Sequence, residues 1–170
     1  MIPRSILLAV LLPAACVPAG AQVRGEFLIT NHGAKGDGAF DNAPIINNLI
    51  DQLPNTGGSI VIPHGDFRLG SPVVVRKSYV TIRGLGRSSR LVVGGGVADG
   101  ILVPDDSTRI SGVVVRDLQI AGTDWGLYQT GVKVVRANDG LHVDQVSFTS
   151  LSRAIFIRAS DALQVTGCDV

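Results

Sequence analysis

Arg116, His142 and Asp144 are the residues of this chain whose types and spacing suit chemistry on a bound anion. An arginine fork holds a carboxylate through two parallel hydrogen bonds, and a neighbouring Asp144 or His142 can take a proton from the atom beside it. Lys133 is a fourth candidate for holding substrate, with Arg136, Arg153 and Arg158 as similar cations. Arg116 and Asp144 lie 28 residues apart, so they meet only if the chain returns on itself at that interval. A plainer reading is open too. Arg116 and Asp144 then form an exposed pair contributing at most about 1 kcal/mol, and His142 and the other cations are solvated. Trp125 and Tyr128 could stack on a ring-shaped ligand or pack their own loop against the body.

The elements that would bring these residues together are written as a repeat. Gly112-Val-Val-Val-Arg-Asp-Leu-Gln-Ile120, Gly140-Leu-His-Val-Asp-Gln-Val-Ser-Phe148 and Ala162-Leu-Gln-Val-Thr-Gly-Cys-Asp-Val170 carry apolar residues at the second, fourth, seventh and ninth places. Their starts are 28 and then 22 residues apart. One such rung cannot bury its apolar face alone and needs neighbours above and below. Tyr79-Val-Thr-Ile-Arg-Gly-Leu85 fits the same register, with Val80, Ile82 and Leu85 at the apolar places. A second set, Gly100–Val103, Gly131–Val134 and Ala154–Ile157, alternates and predicts another strand per turn. The three-residue steps Val115 to Leu118, Val143 to Val146 and Val165 to Cys168 predict a bend between two sheets inside each rung. The pattern is that of an all-β chain wound as a parallel β-helix.

Outward positions of such a stack file into ladders about 4.8 Å apart. One ladder is Arg83, Arg116, Asp144, Thr166, and its neighbour is Thr81, Val114, His142, Gln164. The helix predicted over about 41–53 opens at Asp41, admits Pro44 in its first turn and turns Ile45, Ile46, Leu49, Ile50 and Leu53 to one face. Laid across the first coil, it caps both the strand edges and the apolar interior.

Composition limits the alternatives. The chain is 45% apolar and 17% charged with 21 glycines, which suits buried strand faces and many tight corners. A net charge of +1 without a basic block excludes nucleic acid as the expected partner. Arg4, the apolar run Ile6–Leu12 and Ala19-Gly-Ala21 have the order of a secretory signal, so residues 1–21 are expected to be cleaved after Ala21 and the protein to be secreted or periplasmic. The apolar run is too short to span a bilayer, and lipidation of Cys16 is the alternative. Residues 22–170 then form the N-terminal part of one β-helix domain, in which Cys168 is a small core residue without a disulfide partner.

Gly33-Ala-Lys-Gly-Asp-Gly38, Asp41-Asn42 opening the helix, Gly57-Gly58-Ser-Ile-Val-Ile-Pro63 and Gly65-Asp-Phe-Arg68 resemble the opening of pectate-lyase-superfamily proteins of the rhamnogalacturonase and epimerase type. The resemblance covers roughly residues 27 to 170. It implies a right-handed, single-stranded parallel β-helix and an exported carbohydrate-active protein that cleaves or epimerises acidic polysaccharide. Arg116 beside Asp144 would then face a uronate carboxylate. Lyase chemistry in the family implies a cation, often Ca²⁺, and no Asp cluster here is dense enough to name a metal site.

The family's catalytic motifs do not carry over. Of the polygalacturonase set only Asp105-Asp106 is present, in a loop after Pro104, and Phe156-Ile-Arg-Ala-Ser160 stands where alginate-type epimerases have Asp-Pro-His. The catalytic residues are therefore left unassigned. The loop Gly33–Gly38 lacks the lysine placement of a phosphate loop and reads as a glycine-dependent turn. A non-catalytic sugar-binding rod, or a structural module of the adhesin or tail-spike type, is the alternative to an enzyme. The sequence stops on the last apolar place of a rung, which predicts an uncapped end suited to self-association, or an inactive fragment.

Overall fold

The computed structural model describes residues 25–105, 109–123, 128–136 and 140–170. The expected leader, Cys16, Asp106 and Trp125 lie outside the described residues. The chain opens with β1 Gly25–Leu28, a 3-10 turn Ile29–His32 and the helix α1 Ala43–Gln52. A first coil follows as β2 Gly58–Val61, β3 Gly65–Leu69 and β4 Val73–Val74, and a second as β5 Val80–Arg83, β6 Ser89–Val93 and β7 Asp99–Val103. The third coil is β8 Val114–Gly122 with β9 Thr130–Val134, the fourth β10 Leu141–Thr149 with β11 Arg153–Ile157, and β12 Leu163–Thr166 begins a fifth.

Every pairing of these strands is parallel. One sheet runs β1-β2-β5-β8-β10-β12, with β3 pairing β6 and β6 pairing β8, and the other runs β11-β9-β7-β4. From β2 onward, strands stacked in one wall are separated in sequence by strands of the other walls, so the chain winds and each turn adds to every wall. Like apolar residues stand over like. Ile60, Ile82, Val115 and Val143 form one fully buried file, and Phe67, Leu91, Ile120 and Phe148 a second.

Two files of left-handed residues set the corners. Gly57, Tyr79, Gly112, Gly140 and Ala162, each immediately before a rung, have φ of 91°, 61°, 66°, 81° and 50°. Asp117, Gln145 and Gly167 have φ of 56°, 54° and 59° and make the predicted bend. The bend does not separate two sheets as expected: at Asp117 and Gln145 it lies within single continuous strands, β8 and β10. The first part of β8 pairs with β5 and the second with β6, so the sheet is carried around the corner.

Leu85 is a correction to the predicted rung. Val80 and Ile82 are buried as expected, but Leu85 is 51% exposed. The chain leaves the coil after Gly84, and Leu85 N–H donates to Ser89 Oγ at 2.9 Å while Ser89 N–H donates to Gly86 O at 2.9 Å. Buried Ser89 thereby takes the place before Arg90, which pairs with Gln119, and Leu91 and Val93 supply the apolar contacts.

The helix seals the first coil. Ala43, Ile46, Leu49 and Ile50 are buried, as is Leu53 just beyond, while Ile45 packs at the margin. Asn47 makes the seal specific, since its Oδ1 accepts Val74 N–H at 2.8 Å and its Nδ2 donates to Pro72 O at 3.0 Å. The free edge of β4 is thus hydrogen-bonded instead of exposed. Asp41 Oδ1 accepts Ala43 N–H and Gly70 N–H, tying the helix start to the coil. Buried Asn42 holds the Gly33–Gly38 loop through Lys35 N–H and the carbonyls of Lys35, Phe40 and Arg68. The loop's expected role as a turn therefore has a structural cause.

Candidate functional site

The outer face of the wall β1-β2-β5-β8-β10-β12 carries the predicted ladders. Pairing places Arg83 opposite Arg116, Arg116 opposite Asp144, and Asp144 opposite Thr166. The adjacent file runs Glu26, Ser59, Thr81, Val114, His142, Gln164. Three of the four sequence candidates, Arg116, His142 and Asp144, thus share one surface.

Their side chains choose other partners. Arg116 Nε lies 3.5 Å from Asp117 Oδ2, the carboxylate at the left-handed bend. Asp144 Oδ1 accepts a 2.6 Å hydrogen bond from Thr166 Oγ1. Among the described residues Arg116 and Asp144 form no ion pair, although they are neighbours in register. His142 is exposed, and its ring makes no hydrogen bond to a described residue. Lys133 sits on β9 in the other sheet, where its Nζ donates to Asp99 Oδ2 at 2.9 Å. It belongs to a different wall and cannot share a ligand group with Arg116.

The remaining candidates disperse. Arg136 Nε is 3.4 Å from Asp105 Oδ1, and the Arg153 guanidinium lies over the Phe156 ring. Tyr128 is 79% exposed. On the wall of β3 and β6, Arg90 Nη1 donates to both carboxylate oxygens of Asp66, at 2.8 and 2.9 Å, so it is already paired.

The first wall also holds a cleft that the repeat did not announce. Gly25, Glu26, Thr56, Gly57, Gly58, Ser59, Tyr79 and Thr81 line a space of ≈ 500 Å³. Glu26 Oε2 accepts from Arg83 Nη2 at 3.1 Å across the intervening strand β2. Among the described residues the hydroxyls of Ser59 and Thr81 make no side-chain hydrogen bond, so they are open to a ligand. Glu26 escaped sequence reasoning because β1 precedes the helix, outside the repeat. Tyr79 did carry a signal, since it stands where the other copies begin with Gly or Ala.

A polar cleft of this kind can hydrogen-bond the hydroxyls of a sugar and set an aromatic ring against its face. It is not built to hold a cation. No group of three or more His, Cys, Asp or Glu side chains gathers for a metal among the described residues, so calcium finds no fitting donor set there. No helix of the described residues is long and apolar enough to cross a membrane.

The strand order, parallel pairing and stacked corners define a coil of the parallel β-helix class. Among solved structures it is similar to the A-module of the Azotobacter vinelandii mannuronan C-5 epimerase AlgE4, with a TM-score of 0.67 and 19% identity over 82% of this chain and 45% of that one. The corresponding module of AlgE6 gives 0.65 and 18% identity over 84% and 43%. ORF18 of Geobacillus virus E2 gives 0.56 and 17% over 84% and 41%. At such identities the likeness shows the fold alone. The chain spans less than half the length of each of these proteins. No family model matches the sequence, and no curated protein matches it.

Proposed function

We propose that this chain is part of an exported carbohydrate-active protein whose coil is a right-handed β-helix of the pectate-lyase type and binds polysaccharide along its first wall. The observation that carries the reading is the cleft at Glu26, Ser59, Tyr79 and Thr81, on the same surface as Arg116, His142 and Asp144. The strong preference for right-handed crossovers between parallel strands supports the right hand. The epimerase likeness supports an acidic polysaccharide as substrate, modified by lyase, hydrolase or epimerase chemistry in the complete protein. His142 is the base candidate with an unengaged ring on this wall.

One observation favours a second reading, binding without turnover. Arg116, Asp144 and Lys133 are each already engaged by protein partners. Affinity electrophoresis of the purified protein in gels of uronate and neutral polysaccharides tests binding, and retarded migration in at least one gel is expected. Absorbance of unsaturated ends, release of reducing sugar and proton NMR of C5 configuration test turnover on the same panel. Retardation without any product selects the binding module. Free migration in every gel, with no product, ends the carbohydrate reading.

A further inference from the structure

We infer that Tyr79 is a stacking platform for an uncharged pyranose ring, making the cleft above β2 and β5 a neutral-sugar subsite. This rests on the proposed polysaccharide function and goes further by naming the ring that the cleft accepts.

Tyr79 is an anomaly in its own file. The residues that open the other rungs, Gly57, Gly112, Gly140 and Ala162, bear no side chain or a methyl, as a left-handed backbone favours. Tyr79 takes φ 61° with a full phenol, a conformation that a bulky side chain rarely adopts and that the surroundings must enforce. They do enforce it: Tyr79 N–H donates to Ser111 O at 2.8 Å, and Tyr79 O accepts Gly58 N–H at 3.0 Å. Its neighbours above and below make room. A Cβ at Gly112 would stand 2.6 Å from Tyr79 Cδ1, and one at Gly57 would collide with the Tyr79 carbonyl.

The strained residue does not serve the core. Tyr79 is 59% exposed, and among the described residues its hydroxyl makes no hydrogen bond. One edge of its ring lies near Gly112 and the side chain borders the cleft, where an aromatic can stack on the apolar face of a sugar. Ser59 and Thr81 hydroxyls stand beside it for the ring's hydroxyl groups, with Glu26 as a charged acceptor. Charge chooses between sugars. Glu26 is the ionised group lining the cleft, and Arg83 is turned to it from outside the lining. A uronate carboxylate seated here would find no cation in the lining and would have to compete with Glu26 for Arg83, so the fitting ring is uncharged.

The test measures binding of the full chain to neutral hexasaccharides (β-1,4-glucan, β-1,4-mannan, α-1,3-glucan) and to mannuronate and galacturonate hexasaccharides by calorimetry. Tyr79→Gly, Tyr79→Ala and Tyr79→Phe are compared with the parent. A neutral hexasaccharide is expected to bind, with affinity lost about tenfold in Tyr79→Gly and Tyr79→Ala and kept within about twofold in Tyr79→Phe. Tyr79→Gly separates recognition from folding, because glycine relieves the left-handed strain and its Tm should equal or exceed the parent's. Undiminished neutral-sugar binding by Tyr79→Gly overturns the platform and leaves the polysaccharide function standing. Tyr79-dependent binding of uronates alone overturns the neutral assignment. No binding of any oligosaccharide by the parent overturns both.

Discussion

Two adjacent rungs, those of β10 and β12, treat the same kind of residue in opposite ways. Val143, in β10, is fully buried, whereas Val165, its register partner in β12, is 45% exposed. Leu141 and Leu163 differ likewise, at 1% and 41%. Beside the first coil, Ala43, Ile46, Leu49 and Ile50 of α1 join the core, and the edge of β4 is closed by Asn47. Side-chain type and rung position are shared, so the difference comes from neighbours. Burial in this fold is a property of stacking, not of a rung.

That contrast can be broken by matched substitutions. The largest expected effect is Val143→Ala, which opens a cavity between two covered rungs and should cost about 2–4 kcal/mol. Val165→Ala should cost about 1 kcal/mol or less, since its side chain already meets water. Equal losses in urea unfolding would show that the rung of β12 is as well packed as that of β10. Asn47→Ala should follow, costing about 1–3 kcal/mol because it strands Val74 N–H and Pro72 O at the sealed edge. Asn48→Ala, on the exposed side of the same helix, should stay within about 0.5 kcal/mol. Faster hydrogen exchange at the Val74 amide checks the cause.

The smallest effect concerns pH at the sealed end. Asp37 Oδ1 accepts the N–H groups of Phe40 and Ala39, and these bonds hold its carboxyl below the ordinary 3.8. A carboxyl depressed on folding stabilises above the unfolded pKa and loses that contribution as pH falls through the folded one. Melting temperature should therefore drop more steeply below about pH 4 in the parent than in Asp37→Asn. Parallel acid limbs for the two proteins would remove this role.

Much of this architecture was legible because the repeat states its own register. The files Thr81, Val114, His142, Gln164 and Arg83, Arg116, Asp144, Thr166 follow from spacing alone, and pairing reproduces them. The bend at Asp117 and Gln145 was visible as a three-residue step. Leu85 misled because the chain leaves the coil between Gly84 and Ser89, and an apolar residue in the right place by count is then outside it. The site was less legible. Spacing gives which residues share a wall, but Arg116 turns to the adjacent Asp117, a choice of rotamer that no period encodes. Lys133 falls in the second strand set as expected, but its pairing with Asp99 is not written in the spacing. Glu26 reaches the cleft through β1, a strand paired across a helix and unrelated to the repeat.

The left-handed corners have a further consequence for how such a molecule can vary. From Val80 to Val113 the chain spends 33 residues, from Val113 to Leu141 28, and from Leu141 to Leu163 22. Each time it arrives back in step. Peptide grafted between β7 and β8 therefore alters what projects from the side of the rod without shifting a single strand from its address. The coil separates the part of the sequence that must stay in phase from the part that is free to acquire new recognition.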